Sequence, residues 1–386
     1  MSILSRPSGS AQDSFYPEVS SVSPSADRQQ IPDRALLRAL PKTDLHVHLD
    51  GSLRTSTVRE LSARHSLPFA FANDDDVRAV CQVSEKCESL EDYLKVFDIT
   101  LQLMQHREDI TRIAFELAED AHRENVRYME VRYSPMLHTV RGLSLDEIVA
   151  AVQLGLAAAR RRYGIVTGQI ICGIRHISPE SSVELAELAV RWKGRGVVAF
   201  DLAGAEKDFP AKDHLKAFYH VLNHNLPVTI HAGEAFGPES IHQAIHHCGA
   251  NRIGHGTHLA EDPALMQWVN DRRIPVEMCL ASNIQTCAIR EWQDHPIRRF
   301  LEEGLRVTLN TDNRLVSGTT VTRELELAVD HYDLTTPQLT KIVLDGFKSA
   351  FLPQAEKAKM VNRVLDEFVA LGVTPAGLVS RRWRVA

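Results

Sequence analysis

The chain has 386 residues, 44% hydrophobic and 24% charged, the balance of an ordinary soluble globular protein with room for one large domain or two ordinary ones. Its 44 basic residues against 50 acidic ones leave a formal charge of −6 with no basic block, which argues against binding nucleic acid through phosphates. No apolar run approaches a membrane span, and six cysteines without a CxxC pair read as reduced thiols of a cytoplasmic protein.

Residues 1–35 are rich in Ser and Pro and are expected to form a flexible N-terminal extension. This stretch lacks the apolar segment of a signal peptide, and Asp13 and Glu18 argue against a transit peptide. The first strand candidate is "TDLHVHL" (43–49). A strand places residues i and i+2 on one face, so His46 and His48 point the same way out of a segment that otherwise reads as buried.

The interval before the next strand candidate, "VRYMEVRYS" (126–134), is far longer than any later one. Within it, "SLEDYLKVFDITLQLM" (89–104) carries Leu90, Tyr93, Leu94, Phe97, Leu101 and Met104 at helical spacing. That spacing serves core packing or an extra helical lid. An insertion after strand 1 of a barrel emerges on the catalytic face, which favours the lid.

Six further strand candidates follow: 168–176, 196–204, 226–234, 251–257, 274–283 and 305–313. They are rich in Val and Ile and nearly continuous in apolarity, as parallel strands covered on both faces are. Helical patterns separate most of them. The stretch 144–164, for example, opens with a Ser144–Glu147 capping box and closes at Gly164. Eight βα units predict an α/β fold, a closed (β/α)8 TIM barrel over residues 36–375 with a helical lid inserted after strand 1. Residues 376–386, ending in "SRRWRVA", are expected to be a solvated basic tail.

In such a barrel, catalytic groups project from the C-terminal strand ends. Those ends carry His46, His48 and Asp50 (strand 1), Asp201 and Gly204 (strand 4), His231 and Glu234 (strand 5), and His255 (strand 6). Strand 7 adds Ser282 and Asn283, and strand 8 adds Asp312 and Asn313. Taken singly, each has a structural reading, since a buried histidine is commonly a hydrogen-bonded core residue and an Asp at a strand end commonly caps a helix. Convergence changes this. His46, His48, His231 and Asp312 face one mouth, and three imidazoles with one carboxylate suit Zn²⁺ with a position left open for water.

The segments "HVHLDGS", "MEVRYSP", "DLAGAE", "HAGEAFGPESI", "RIGHGTHL", "CLASNIQT" and "LNTDN" stand in an order and spacing that resemble the adenosine deaminase family of the amidohydrolase superfamily. The resemblance runs from about residue 36 to residue 352. It implies a mononuclear zinc enzyme that converts adenosine, and usually 2′-deoxyadenosine, to inosine and ammonia in purine salvage. Binuclear relatives use a lysine from the middle of the barrel, and strand 4 here contains none.

By the same resemblance, His46, His48, His231 and Asp312 match the zinc ligands, one Zn²⁺ per subunit. Glu234 matches the acid that protonates purine N1, and His255 the histidine that contacts the attacking water. Asp312 doubles as an acceptor of the water's proton. Gly204 matches a backbone donor to purine N3, and Asp50 a carboxylate that accepts from a ribose hydroxyl. Structural alternatives exist for Glu234 (a first-turn acid), His255 (a turn residue) and Asp50 (a turn former before glycine).

One departure stands out. Many family members have Asp–Asp at the end of strand 8, whereas this chain has Asp312–Asn313–Arg314. The Asn313 amide can donate directly to purine N7. Arg314 is either a cation near the mouth or a packing residue. The rival on the same scaffold is a deaminase of adenine or of an N6- or 5′-modified adenosine. "HLDG" leaves room for ribose where adenine-specific relatives resemble "HLEG", so the expected partner is a small-molecule purine nucleoside, with no nucleic acid and no membrane. A homo-oligomer is left open.

Overall fold

The computed structural model describes residues 31–69, 71–83 and 87–376. The expected N-terminal extension lies outside the described residues as far as residue 30, and the basic tail lies outside them from residue 377. Ordered structure begins inside the stretch expected to be flexible, with the helix Arg34–Ala39. The Asp33 carboxylate caps it by accepting the Leu36 N–H at 2.7 Å, and Leu37 is buried.

Eight parallel strands follow: β1 (Lys42–His48), β2 (Val126–Tyr133), β3 (Val166–Ile174), β4 (Val197–Ala203), β5 (Thr229–Ala232), β6 (Arg252–His255), β7 (Val276–Met278) and β8 (Val307–Leu309). They pair in sequence order as two four-stranded ladders. Bridges between Phe200 and Val228 and between Val47 and Asp312 join the ladders at both seams. The sheet is therefore a closed (β/α)8 barrel, as the alternation of elements predicts.

Helices between the strands cover the outside. The helix Leu145–Tyr163 has the predicted capping box, with Ser144 and Glu147 satisfying each other's backbone N–H, and Gly164 ends it at φ 76°. Among the described residues, the first interval holds five helices. Two of them, Leu90–Leu94 and Phe97–Leu103, occupy the segment expected to be one helix. Lys95 and Val96 keep near-helical dihedrals between the two, but their bonds run from i+3 to i, so the ladder tightens there rather than turning.

The barrel interior is charged as well as apolar. Glu130 and Arg132 alternate along β2 and both point inward without exposure. Arg132 donates to Asp201 at 3.1 Å and to Glu277 at 2.8 Å. Arg252 donates through Nε to Glu277 at 2.5 Å and also pairs with Glu130. Each buried charge thus meets an opposite one, the condition under which such groups are tolerated. Among the described residues, no helix is long and apolar enough to cross a membrane.

Candidate active site

A cavity of about 270 Å³ opens at the C-terminal ends of the strands, near the lower end of the range for small-molecule sites. His48, Asp50, Gly204, His231, Glu234, His255, Asp312 and Asn313 line it. Leu90, Tyr93, Leu94, Phe97 and Leu101 form an apolar wall from the two insertion helices. Tyr93 is anchored there, its hydroxyl 2.7 Å from Ser317 Oγ.

His46, His48, His231 and Asp312 bring one ligand atom each to within 4.8 Å of one another. Nε2 of His48 and of His231 are 3.1 Å apart, and Asp312 Oδ1 is 3.4 Å from Nε2 of both His46 and His48. A tetrahedral ion with bonds near 2.0–2.1 Å would separate nitrogen ligands by about 3.3 Å. His46 Nε2 is buried and has no hydrogen-bond partner, as expected of a nitrogen reserved for an ion. The donor set and its spacing therefore fit a divalent metal.

Two of these histidines are aimed by carboxylates behind them. His46 Nδ1 donates to Glu277 Oε2 at 2.9 Å, and His231 Nδ1 donates to Asp201 Oδ2 at 3.0 Å, which leaves both Nε2 atoms turned to the cluster. Ser282 Oγ donates to Asp312 Oδ2 at 2.6 Å. Burial alone would raise the Asp201 and Glu277 carboxyls. Their partners win, with His231 and Arg132 holding Asp201 far below the usual carboxylate range and Arg132 and Arg252 doing so for Glu277.

Glu234 behaves in the opposite way. Burial, reinforced by the negative charges of Asp312 and Glu206, holds its carboxyl well above the ordinary value. Its carboxyl lies 3.4 Å from His255 Nε2. Glu206 accepts backbone N–H groups from Gly233 through Phe236 and so fixes the loop that carries Glu234.

The backbone bends sharply at the mouth. Asp312 has φ 56° and His255 φ 60°, both left-handed, and Gly204 stands at φ 89°. A side chain at Gly51 would collide with Asn313, its Cβ falling 1.9 Å from Oδ1. That close approach lets Asn313 lie against the β1 loop.

A sequence profile described as adenosine deaminase matches residues 41–367. The chain belongs to the adenosine deaminase family. The adenosine deaminase of Clostridium kluyveri is 36% identical over 335 residues, covering 87% of this chain and 95% of that one. A cog1816 amidohydrolase from Burkholderia ambifaria, solved with bound Zn, superposes with a TM-score of 0.81 at 26% identity over 90% of this chain and 96% of the other. The N6-methyl-AMP deaminase of Arabidopsis thaliana gives 0.76 at 28%, covering 86% and 98%.

Within this family scaffold, His46, His48, Asp50, Gly204, His231, Glu234, His255, Asp312 and Asn313 reach one cavity or the four-residue cluster beside it. Asp201, Ser282 and Asn283 stand behind it, bonded to His231, Asp312 and His255. Several lie off the strands expected to carry them. β7 stops at Met278, and Ser282 and Asn283 sit on the short helix Leu280–Gln285 instead. Likewise β8 stops at Leu309, and Asp312 hangs on a single bridge beyond it. Arg314 does not reach the mouth. It is half-buried against Glu124, with Asp44 at 3.9 Å, and is a packing residue.

Sequence reasoning left Glu206, Arg132, Glu277 and His295 without roles. A signal for the first three was present, since charged residues within or just after strands of a barrel must be buried and paired. His295 left no such trace.

Proposed function

We propose that this protein deaminates adenosine and 2′-deoxyadenosine hydrolytically to inosine or deoxyinosine and ammonia, with one Zn²⁺ per chain, as part of purine salvage. The observation that carries this reading is a buried Glu234, its carboxyl held above the ordinary value by burial, sharing a cavity with the His46–His48–His231–Asp312 cluster. A zinc ion held by those four residues would supply hydroxide at neutral pH by lowering the pKa of water from about 15.7 toward 7.

The chain's own groups do the rest. Glu234 gives its proton to purine N1, which breaks ring aromaticity and makes C6 electrophilic. Asp312 takes a proton from the attacking water, and His255 Nε2 faces the developing charge. The amide of Asn313 donates to N7 and the Gly204 N–H to N3. Asp50, buried with Oδ1 unpartnered, accepts from a ribose hydroxyl. The insertion helices act as the lid that keeps bulk water out. Six unpaired thiols support a reducing, cytoplasmic setting.

Adenine and modified adenosines are the rival substrates. Among the described residues, those around the cavity include Asp50 and Asp98 but no lysine or arginine, which disfavours a 5′-phosphate. The test is loss of the adenine ultraviolet absorbance with adenosine, deoxyadenosine, adenine and N6-methyl-AMP in parallel. Turnover of adenosine and deoxyadenosine alone is expected. Turnover of adenine in preference to adenosine would overturn the assignment of Asp50.

A further inference from the structure

The Nε2 atom of His255 faces Glu234 Oε2 at 3.4 Å, and its ring lies 4.7 Å from that of His46. Whether that nitrogen carries a proton decides whether it donates to a reacting oxygen or takes a proton from it. Behind His255 runs a chain of hydrogen bonds whose polarity is set by two backbone N–H groups. Ile297, the first residue of the helix Ile297–Glu302, has an N–H without an intrahelical acceptor and donates it to His295 Nδ1 at 3.2 Å. The His295 proton therefore sits on Nε2, which donates to Asn283 Oδ1 at 3.3 Å.

The Cys279 N–H reaches the same Asn283 oxygen at 3.4 Å. Two independent donors thus orient the amide with its oxygen toward them and its NH₂ toward His255. That NH₂ donates to His255 Nδ1 at 3.0 Å. Asn283 and His255 are fully or almost fully buried and His295 is 4% exposed, so water cannot substitute for any member. Burial also lowers His295 to about 3, so it stays neutral and keeps Nδ1 bare.

We propose that His295 and Asn283 are positioning residues that lock His255 as its Nε2–H tautomer. His255 then donates to the reacting oxygen and cannot serve as the base, a task that falls to Asp312. The inference rests on the deaminase reading for the identity of that oxygen, but the tautomer itself is a property of the chain.

The first test is two-bond ¹H–¹⁵N correlation of histidine-labelled, zinc-reconstituted protein, with His255 assigned by substitution. The proton is expected on Nε2, and a proton on Nδ1 overturns the proposal. The second test is Asn283→Asp, which keeps the shape but leaves only acceptors facing His255. A fall in kcat of about 100-fold or more is expected, with KM changed by less than about threefold.

His295→Gln retains an NH donor and should stay within about tenfold of the parent kcat, whereas His295→Phe should fall close to Asn283→Asp at a similar melting temperature. Parent-like kcat in Asn283→Asp would sink the relay. A parent protein inert toward adenosine but with His255 protonated on Nε2 would instead defeat the deaminase reading and leave the relay standing.

Discussion

The Glu206 carboxylate binds the main chain on either side of the Glu234 Cα. Its Oε1 accepts the Gly233 N–H at 2.6 Å, while Oε2 accepts those of Glu234, Ala235 and Phe236 at 2.9, 2.6 and 3.1 Å. A single side chain satisfies four consecutive donors of the loop after β5. Its charge also helps to raise the Glu234 carboxyl.

Removing that carboxylate should therefore damage both stability and chemistry. Glu206→Ala strands four donors, and we expect a loss of about 2–4 kcal/mol in stability with a fall in kcat of about 100-fold. Denaturant unfolding and steady-state kinetics with adenosine measure the two. An unchanged kcat would show that the loop holds Glu234 without help.

The metal cluster predicts a strong link between ion and fold. Glu277 holds the His46 ring through Nδ1 and Ser282 holds Asp312, so the protein itself orients two of the four ligands. Stripping the protein with a chelator should abolish turnover and lower the melting temperature. Free zinc at 1,000 times its dissociation constant should restore about 4 kcal/mol. A melting curve indifferent to chelation would argue against a bound ion.

Acid sensitivity has a source outside the site. His138 ends the turn Pro135–His138 after β2 and is completely buried, which lowers its pKa to about 4. The unfolded chain takes up this proton near pH 6.5 and the folded one only near 4. Stability is therefore full above about pH 6.5 and is lost as pH falls through that window, by about 2 kcal/mol at pH 5. Thermal melts of His138→Leu between pH 7 and pH 5 should show a shallower decline than the parent. Parallel declines would place the effect elsewhere.

Asn313→Asp asks what the amide contributes. A carboxylate there would stand beside Asp312 and Glu234 and would present acceptors to N7, itself an acceptor. We expect kcat/KM to fall by about tenfold or more at pH 8 and by less at pH 6, where a shared proton is easier to hold. Equal activity at both pH values would remove Asn313 from the purine contacts.

Much of this was legible in the sequence because barrels put chemistry at strand ends. His46 and His48 announce themselves by spacing, and His231, His255 and Asp312 by their places after later strands. Boundaries were harder to read. The apolar run from Ile274 to Asn283 reads as one strand, yet β7 keeps only three residues because Leu280–Gln285 turns into a helix whose first N–H groups fall on Glu324. Arg314 was ambiguous because its partners, Asp44 and Glu124, are remote in sequence. His295 was invisible for the same reason, since its meaning arises only where a helix start meets Asn283.

The left-handed backbone at His255 and Asp312 has an evolutionary consequence. Each non-glycine residue held there costs about 1 kcal/mol relative to glycine. Glycine at either position would relieve that strain but strand a buried donor, the Ser282 hydroxyl or the Asn283 amide. The contorted main chain is thus a debt the lineage can settle only by giving up the chemistry it holds.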